Sequence, residues 1–143
     1  MKAVVDTDIA FSCFVRSDTL AAEILLHAPG QLLFFSPLLL TKELQRHRAK
    51  LKGASKLGDE ALDTATTPLL ARIVLMDDAA VSFANRDKAL SIATGVDEAD
   101  APFIALALEL DALLWTGDHR LVRGLRRKGF HHVISTVELA HMR

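Results

Sequence analysis

The chain has 143 residues, half of them apolar and 24% charged, enough apolar material for one packed core and too much for a disordered chain. Its 17 Lys+Arg against 18 Asp+Glu leave a net charge of −1, which excludes a strongly basic nucleic-acid packager and a polyacidic tail alike. The lone Cys13 excludes a disulfide framework and a multi-cysteine zinc site, and no apolar run approaches the ~18 residues of a membrane span.

Met1 to Asp6 reaches an acid before a signal-like apolar region forms. The expectation is therefore one soluble cytoplasmic domain over residues 1–143 with no membrane association. Ala3–Val5 reads as a buried strand running into a loop at Asp6 and Asp8. Thr19–Ala28 is a helical stretch with Leu20, Ile24 and His27 on one side, closed by Pro29-Gly30. Leu32–Phe35 is a second strand. Ser36-Pro37 then reads as an N-cap with proline at the first helical position. The helix it opens runs to about Leu51, with Leu40, Leu44 and Leu51 inward. Glu60–Leu70 is helical with an expected break near Pro68, and Ile73–Met76 is a third strand.

Ala79–Ala93 is a further helix, stopped by Thr94-Gly95. Ala101–Leu110 is apolar on most sides and should be central. Ala112–Trp115 is a fourth strand. Thr116-Gly117-Asp118 turns it into a helix with basic residues in its last turn and Gly129 beyond. His132–Ile134 is a fifth strand and Val137–Met142 a last helical turn or two. Strands alternating with helices predict a three-layer α/β/α fold around a mostly parallel sheet of four or five strands. In such a sheet the ligand lies beyond the carboxyl ends of the strands.

Charge is unevenly spread along the chain. Lys42 to Lys56 carries six bases and one acid, and His119 to His132 five bases and no acid. Between Asp59 and Asp118 twelve acids face three bases. Each basic stretch suits either a solvated helix face or a local contact to a polyanion.

The acids occupy telling places. Asp6 follows the first strand and Asp118 the fourth; Asp100 stands at the start of the central helix, and Glu43 lies between Leu40 and Leu44. Taken singly, Asp6 or Asp8 caps a turn, Asp100 and Asp118 are N-caps, and Glu43 pairs with Arg46 or His47. Taken together, if the first and fourth strands lie near the middle of the sheet, their acidic ends converge on one edge, within reach of Glu43 and Asp100 from their helices. Carboxylates gathered that closely repel one another unless a cation offsets them. Oxygen ligands without Cys or His clusters favour Mg²⁺ or Mn²⁺ over zinc. Such an ion polarises a phosphoryl oxygen and lowers the pKa of a bound water, which is the chemistry of phosphodiester hydrolysis.

Four segments resemble the PIN-domain ribonucleases, the fold used by VapC-like toxins of toxin–antitoxin pairs. They are Val4-Val5-Asp6-Thr7-Asp8; Ser36-Pro37 through Thr41-Lys42-Glu43-Leu44; Asp97-Glu98-Ala99-Asp100-Ala101-Pro102-Phe103-Ile104-Ala105-Leu106-Ala107; and Leu114-Trp115-Thr116-Gly117-Asp118. The third and fourth, with their spacing, are the specific signal. The resemblance implies that Asp6, Glu43, Asp100 and Asp118 are catalytic and metal-binding, with Asp97 accessory. Asp8 stands where the family more often has asparagine, and Thr116 where a hydroxyl supports the metal. It further implies RNA cleavage with Mg²⁺ or Mn²⁺, a homodimer, and a small antitoxin as partner. Lys42, Arg46, Arg120 and Arg123 are the candidate RNA contacts.

Two rival readings are weaker. A haloacid-dehalogenase-type phosphatase also begins Asp-x-Asp, but Ala10 stands where it needs a hydroxyl or small β-branched residue. That reading also leaves Glu43 without a role. The other is a catalytically silent PIN-fold module that binds RNA or a partner protein, and a surface built only to bind RNA would gain nothing from clustered negative charge. His119, His131 and His132 read as surface residues, Cys13 as a core filler and Trp115 as packing.

Overall fold

The computed structural model describes residues 1–142. Five strands, β1 (Lys2–Val5), β2 (Leu33–Pro37), β3 (Ile73–Met76), β4 (Leu113–Trp115) and β5 (Val133–Ile134), form one sheet. They are ordered β3-β2-β1-β4-β5 and all pair in parallel. The expected three-layer α/β/α arrangement is present. β1 is central, its Ala3, Val4 and Val5 fully buried, because a strand covered on both faces has no side left for polar residues. Register pairs Val4 with Phe35 and Val5 with Trp115, so the carboxyl ends lie along one edge. The chain winds from β1 towards β3 on one side and to β4 and β5 on the other. The direction of winding thus changes between β1 and β4, which opens a crevice beyond their ends.

Helices α1 (Thr7–Val15), α2 (Leu20–His27), α3 (Leu39–Arg46), α4 (Arg48–Ser55) and α5 (Asp59–Leu70) contribute to one apolar cluster. Trp115 and Phe34 meet there with ring centroids 5.6 Å apart, and α9 (Thr136–Met142) adds Leu139. Helices α6 (Phe83–Ala93), α7 (Ala101–Leu110) and α8 (His119–Arg127) build a second cluster around Phe103, Ile104, Leu106 and Leu114. Trp115 and Cys13 pack in the core as expected.

Several boundaries differ from the sequence reading. α1 was not expected: its nine residues, Thr-Asp-Ile-Ala-Phe-Ser-Cys-Phe-Val, are poor intrinsic helix formers, and burial of Ile9, Ala10, Cys13 and Phe14 overrides that preference. Ser36-Pro37 does not open a helix. Both residues end β2, where Ser36 Oγ donates to the Val5 carbonyl at 2.8 Å. Proline is tolerated there because the pairing of β2 with β1 ends at Phe35, while the neighbouring Leu38 amide makes the bond to the Met76 carbonyl of β3. The following helix starts at Leu39 and breaks at His47, giving α3 and α4, although Leu40, Leu44 and Leu51 are buried as expected.

Pro68 causes no early break: α5 runs on to Leu70 with the ring in its last turn, and the ladder forgoes only the one bond that the missing N–H would donate. In α2 the inward face is Ala21, Ala22, Ile24 and Leu25, while Leu20 and His27 are exposed. The helix expected from Ala79 begins at Phe83, where the Ser82 hydroxyl accepts from the Asn85 amide.

Candidate active site

The crevice between β1 and β4 opens into a cavity of about 360 Å³ lined by Asp6, Asp8, Glu43, Asp97, Asp100 and Asp118. Thus the six acids singled out in the sequence reach one cavity, although 112 positions separate the first from the last. Each is delivered by a different local device.

Asp6 leaves the end of β1, and its amide donates to the Trp115 carbonyl at 3.0 Å. One carboxylate oxygen, Oδ1, accepts from the Thr7 amide at 2.8 Å, and the other accepts from the Thr116 hydroxyl at 2.8 Å. Asp6 is 6% exposed. Burial, then the charge of Asp8, pushes its pKa up to about 7 against the lowering effect of those two bonds.

Asp8 does not cap the turn after β1. Its Oδ1 accepts from the Gly117 amide at 3.2 Å and its Oδ2 from Thr116 Oγ1 at 3.4 Å, which ties α1 to the loop after β4. Withdrawal from water raises its pKa despite these bonds. Thr116 therefore serves three acids: its hydroxyl faces Asp6 and Asp8, and its oxygen accepts from the Asp118 amide at 3.2 Å.

Asp118 is an N-cap as well as a cavity residue. Its Oδ1 accepts from the Arg120 and Leu121 amides at 3.0 and 3.2 Å, leaving Oδ2 without a role in the cap. Asp100 precedes α7 and makes no side-chain cap bond. Burial foremost, then the charges of Asp6 and Asp97, pushes its pKa up to about 8. Asp97 Oδ1 accepts from the Ala99 amide at 3.1 Å and closes the turn that carries Asp100. Glu43 comes from α3, and among the described residues it forms no ion pair with Arg46 or His47.

The donor set suits a hard divalent cation in its chemistry: carboxylate and hydroxyl oxygens, with two acids held near pKa 7 and 8 by burial and mutual repulsion. No salt bridge among the described residues neutralises any of the six. The buried Thr7 Oγ1 has no hydrogen-bond partner there either, and such an orphan calls for a ligand or water. As the side chains stand, however, no three His, Cys, Asp or Glu among the described residues form a group ready to hold an ion. The cup is open, and its side chains would have to draw inward to share a cation.

Lys42, Arg46, Arg120 and Arg123 are exposed and lie outside the cavity lining. The bases that do reach it are His47 and Lys50, with Phe11 and Ser12 beside them. Sequence reasoning counted Lys50 within a basic stretch but had no means to single it out. The break at His47, which turns α4 towards α1, carries no composition signal.

Fold and site together define an α/β protein with a carboxylate-lined cavity at the topological switch point of its sheet. A family model of the PIN domain matches residues 4–138, and the chain belongs to the PIN-domain family. PIN domains are generally nucleases, which makes this chain a nuclease-type hydrolase at that coarse level, and such nucleases typically work with divalent metals. No curated protein sequence matches the chain. Among the described residues, no helix is long and apolar enough to cross a membrane.

Proposed function

We propose that the protein is a Mg²⁺- or Mn²⁺-dependent endoribonuclease and serves as the toxin of a toxin–antitoxin pair. The observation that carries the nuclease reading is the meeting of Asp6, Glu43, Asp100 and Asp118 on one cavity in a PIN-family chain. These four would hold the metal, with Asp97 accessory and Asp8 a weaker contributor. A divalent ion bound there supplies offsetting charge, polarisation of a phosphoryl oxygen and a water of lowered pKa.

The chain's own contribution is orientation. The Thr7 amide and Thr116 hydroxyl clamp the two oxygens of Asp6, and the Gly117 amide fixes Asp8. Asp118 is held by the first turn of α8. A clamped carboxylate loses little freedom when it binds an ion, so the cup is partly preorganised. RNA as substrate, a homodimer and a small antitoxin partner are supported by the resemblance to VapC-like toxins.

The test is native purification followed by cleavage assays. The toxin reading expects a small protein to co-purify and the freed chain to run as a dimer by light scattering. The nuclease reading expects RNA cleavage with Mn²⁺ or Mg²⁺ that chelator abolishes. Cutting that persists in chelator and survives Asp100→Asn overturns the mechanism. RNA binding without cleavage, unchanged or improved by Asp100→Asn, makes the chain a silent binding module instead.

A further inference from the structure

The cavity has a second wall of different chemistry. Phe11 and Ser12 reach it from α1, and His47 and Lys50 from the α3–α4 break and α4. Lys50 Nζ stands 5.7 Å from the centroid of the Phe11 ring. Its neighbours on α4 are already engaged: Arg48 pairs with Asp59 and Asp63, and Lys52 with Asp59. Lys50 has no ion pair among the described residues. It is also the one Lys or Arg among the described residues lining the cavity.

We propose that Phe11, His47 and Lys50 form a nucleotide-binding wall that takes an unpaired base of single-stranded RNA beside the phosphate to be cut. This rests on the nuclease reading above and extends it to the side chains that receive the RNA. Phe11 packs partly against the core cluster, so its ring is held in place at no further ordering cost. The contact between Lys50 and that ring is of the weak, exposed cation–π kind. A phosphate is a stronger partner for an ammonium group. When RNA enters, Lys50 moves from ring to phosphate, and a base takes the vacated ring face. His47, exposed at the same wall, offers a ring nitrogen to the ribose 2′-hydroxyl.

An aromatic face accepts any base but only an unstacked one, so the wall selects single strands over duplex rather than one sequence over another. It also resolves an electrostatic conflict. The carboxylates of the cavity repel a polyanion wherever no cation offsets them, and Lys50 on the same lining gives the chain of phosphates somewhere to lie.

The experiment uses the full chain carrying Asp100→Asn, so that binding is read without turnover. A fluorescein-labelled oligoribonucleotide is supplied as a single strand and annealed to its complement. Phe11→Leu and Lys50→Gln are each expected to weaken single-strand binding about tenfold, as loss of one stacked base does, with duplex binding unchanged. Phe11→Trp is expected to keep affinity, and its added indole to be quenched on binding while the fully buried Trp115 is not. In the active chain the same substitutions fall on KM more than on kcat.

Single-strand binding of wild-type strength in both Phe11→Leu and Lys50→Gln overturns the proposal, as does an added indole that stays bright at saturation. So does a chain that binds no single-stranded RNA. Should Phe11→Leu fail to fold, the exposed Lys50→Gln decides alone. If binding and quenching occur but no divalent ion supports cutting, the nuclease reading fails and the wall stands. Cleavage with wild-type KM in both variants does the reverse.

Discussion

The two basic stretches look alike in sequence and end up in different employment. In the first, residues 42–56, the chain breaks at His47 and packs α4 beside α1, which brings His47 and Lys50 to the cavity that Glu43 reaches from α3. In the second, residues 119–132, no base reaches it. Arg126 donates to the Val133 carbonyl and pairs with Glu138 at 3.0 Å, and Lys128 caps the end of α6 through the Ser91 and Thr94 carbonyls. The second stretch holds α8 to its neighbours, and through the Asp118 cap it holds an acid of the cup. Charge density along a chain thus measures solvation and helix capping as readily as ligand contact.

The sharpest way to break this comparison is to remove the charge that both stretches serve. Asp6→Asn and Asp100→Asn each forfeit several kcal/mol of metal-derived transition-state stabilisation, so cleavage in Mn²⁺ should fall by about 10²- to 10³-fold. A loss under tenfold in both would place the chemistry elsewhere. Next comes the contrast between the stretches. Lys50→Gln should raise KM about tenfold, whereas Arg123→Gln, exposed on α8, should leave it within about twofold. Equal effects would make the second stretch an RNA surface as well.

Gly124 sharpens the structural half of the contrast. A Cβ at that position would lie 2.7 Å from Val96 Cγ1. Valine is stiff about χ1, so Gly124→Ala must shift either α8 or the loop that carries Asp97 and Asp100. The expected cost is about 1–3 kcal/mol, visible in urea unfolding, together with weaker cleavage.

The pH dependence of stability probes the cup without substrate. Folding raises the pKa of Asp6 from 3.8 to about 7 and that of Asp100 from 3.8 to about 8, so the folded chain binds these protons more tightly than the unfolded chain. Stability from this pair is therefore greatest near and below pH 3.8 and is progressively lost as pH rises towards 8. In chelator the melting midpoint should fall between pH 5 and 8.5. Asp6→Asn or Asp100→Asn should flatten that fall, raising the midpoint at high pH by about 3–5 °C for each kcal/mol recovered. Mn²⁺ should do the same for the wild type. Smallest of all, Arg126→Ala should cost about 0.5 kcal/mol, typical of a partly exposed pair, with cleavage unchanged.

Much of the fold was legible because its signals are local. The apolar runs of β1 and β3, the apolar central α7, and the Asp118 and Gly129 boundaries of α8 each follow from a few consecutive residues. α1 was not legible, because Thr7 to Val15 has a strand-like composition and is helical only through what it packs against. Ser36-Pro37 misled for a related reason: the dipeptide suits a helix start, but Ser36 finds a better partner in the Val5 carbonyl, 31 positions away.

The amino-acid order by itself determined which acids stand at strand ends and helix starts, since capping and strand termination act over a handful of residues. That was enough to nominate Asp6, Asp8, Asp100 and Asp118; Glu43 stood inside a helix between Leu40 and Leu44, and Asp97 entered as an accessory only through the resemblance to PIN-domain ribonucleases. Only the tertiary structure decided that they share one cavity, that Asp118 spends one oxygen on a cap while Asp100 spends none, and that Thr116 links Asp6, Asp8 and Asp118. It alone chose Lys50 over its many basic neighbours. The physical reason is that burial and mutual repulsion depend on distance in space, which side-chain packing sets across the β1–β4 crevice and no short stretch of chain encodes.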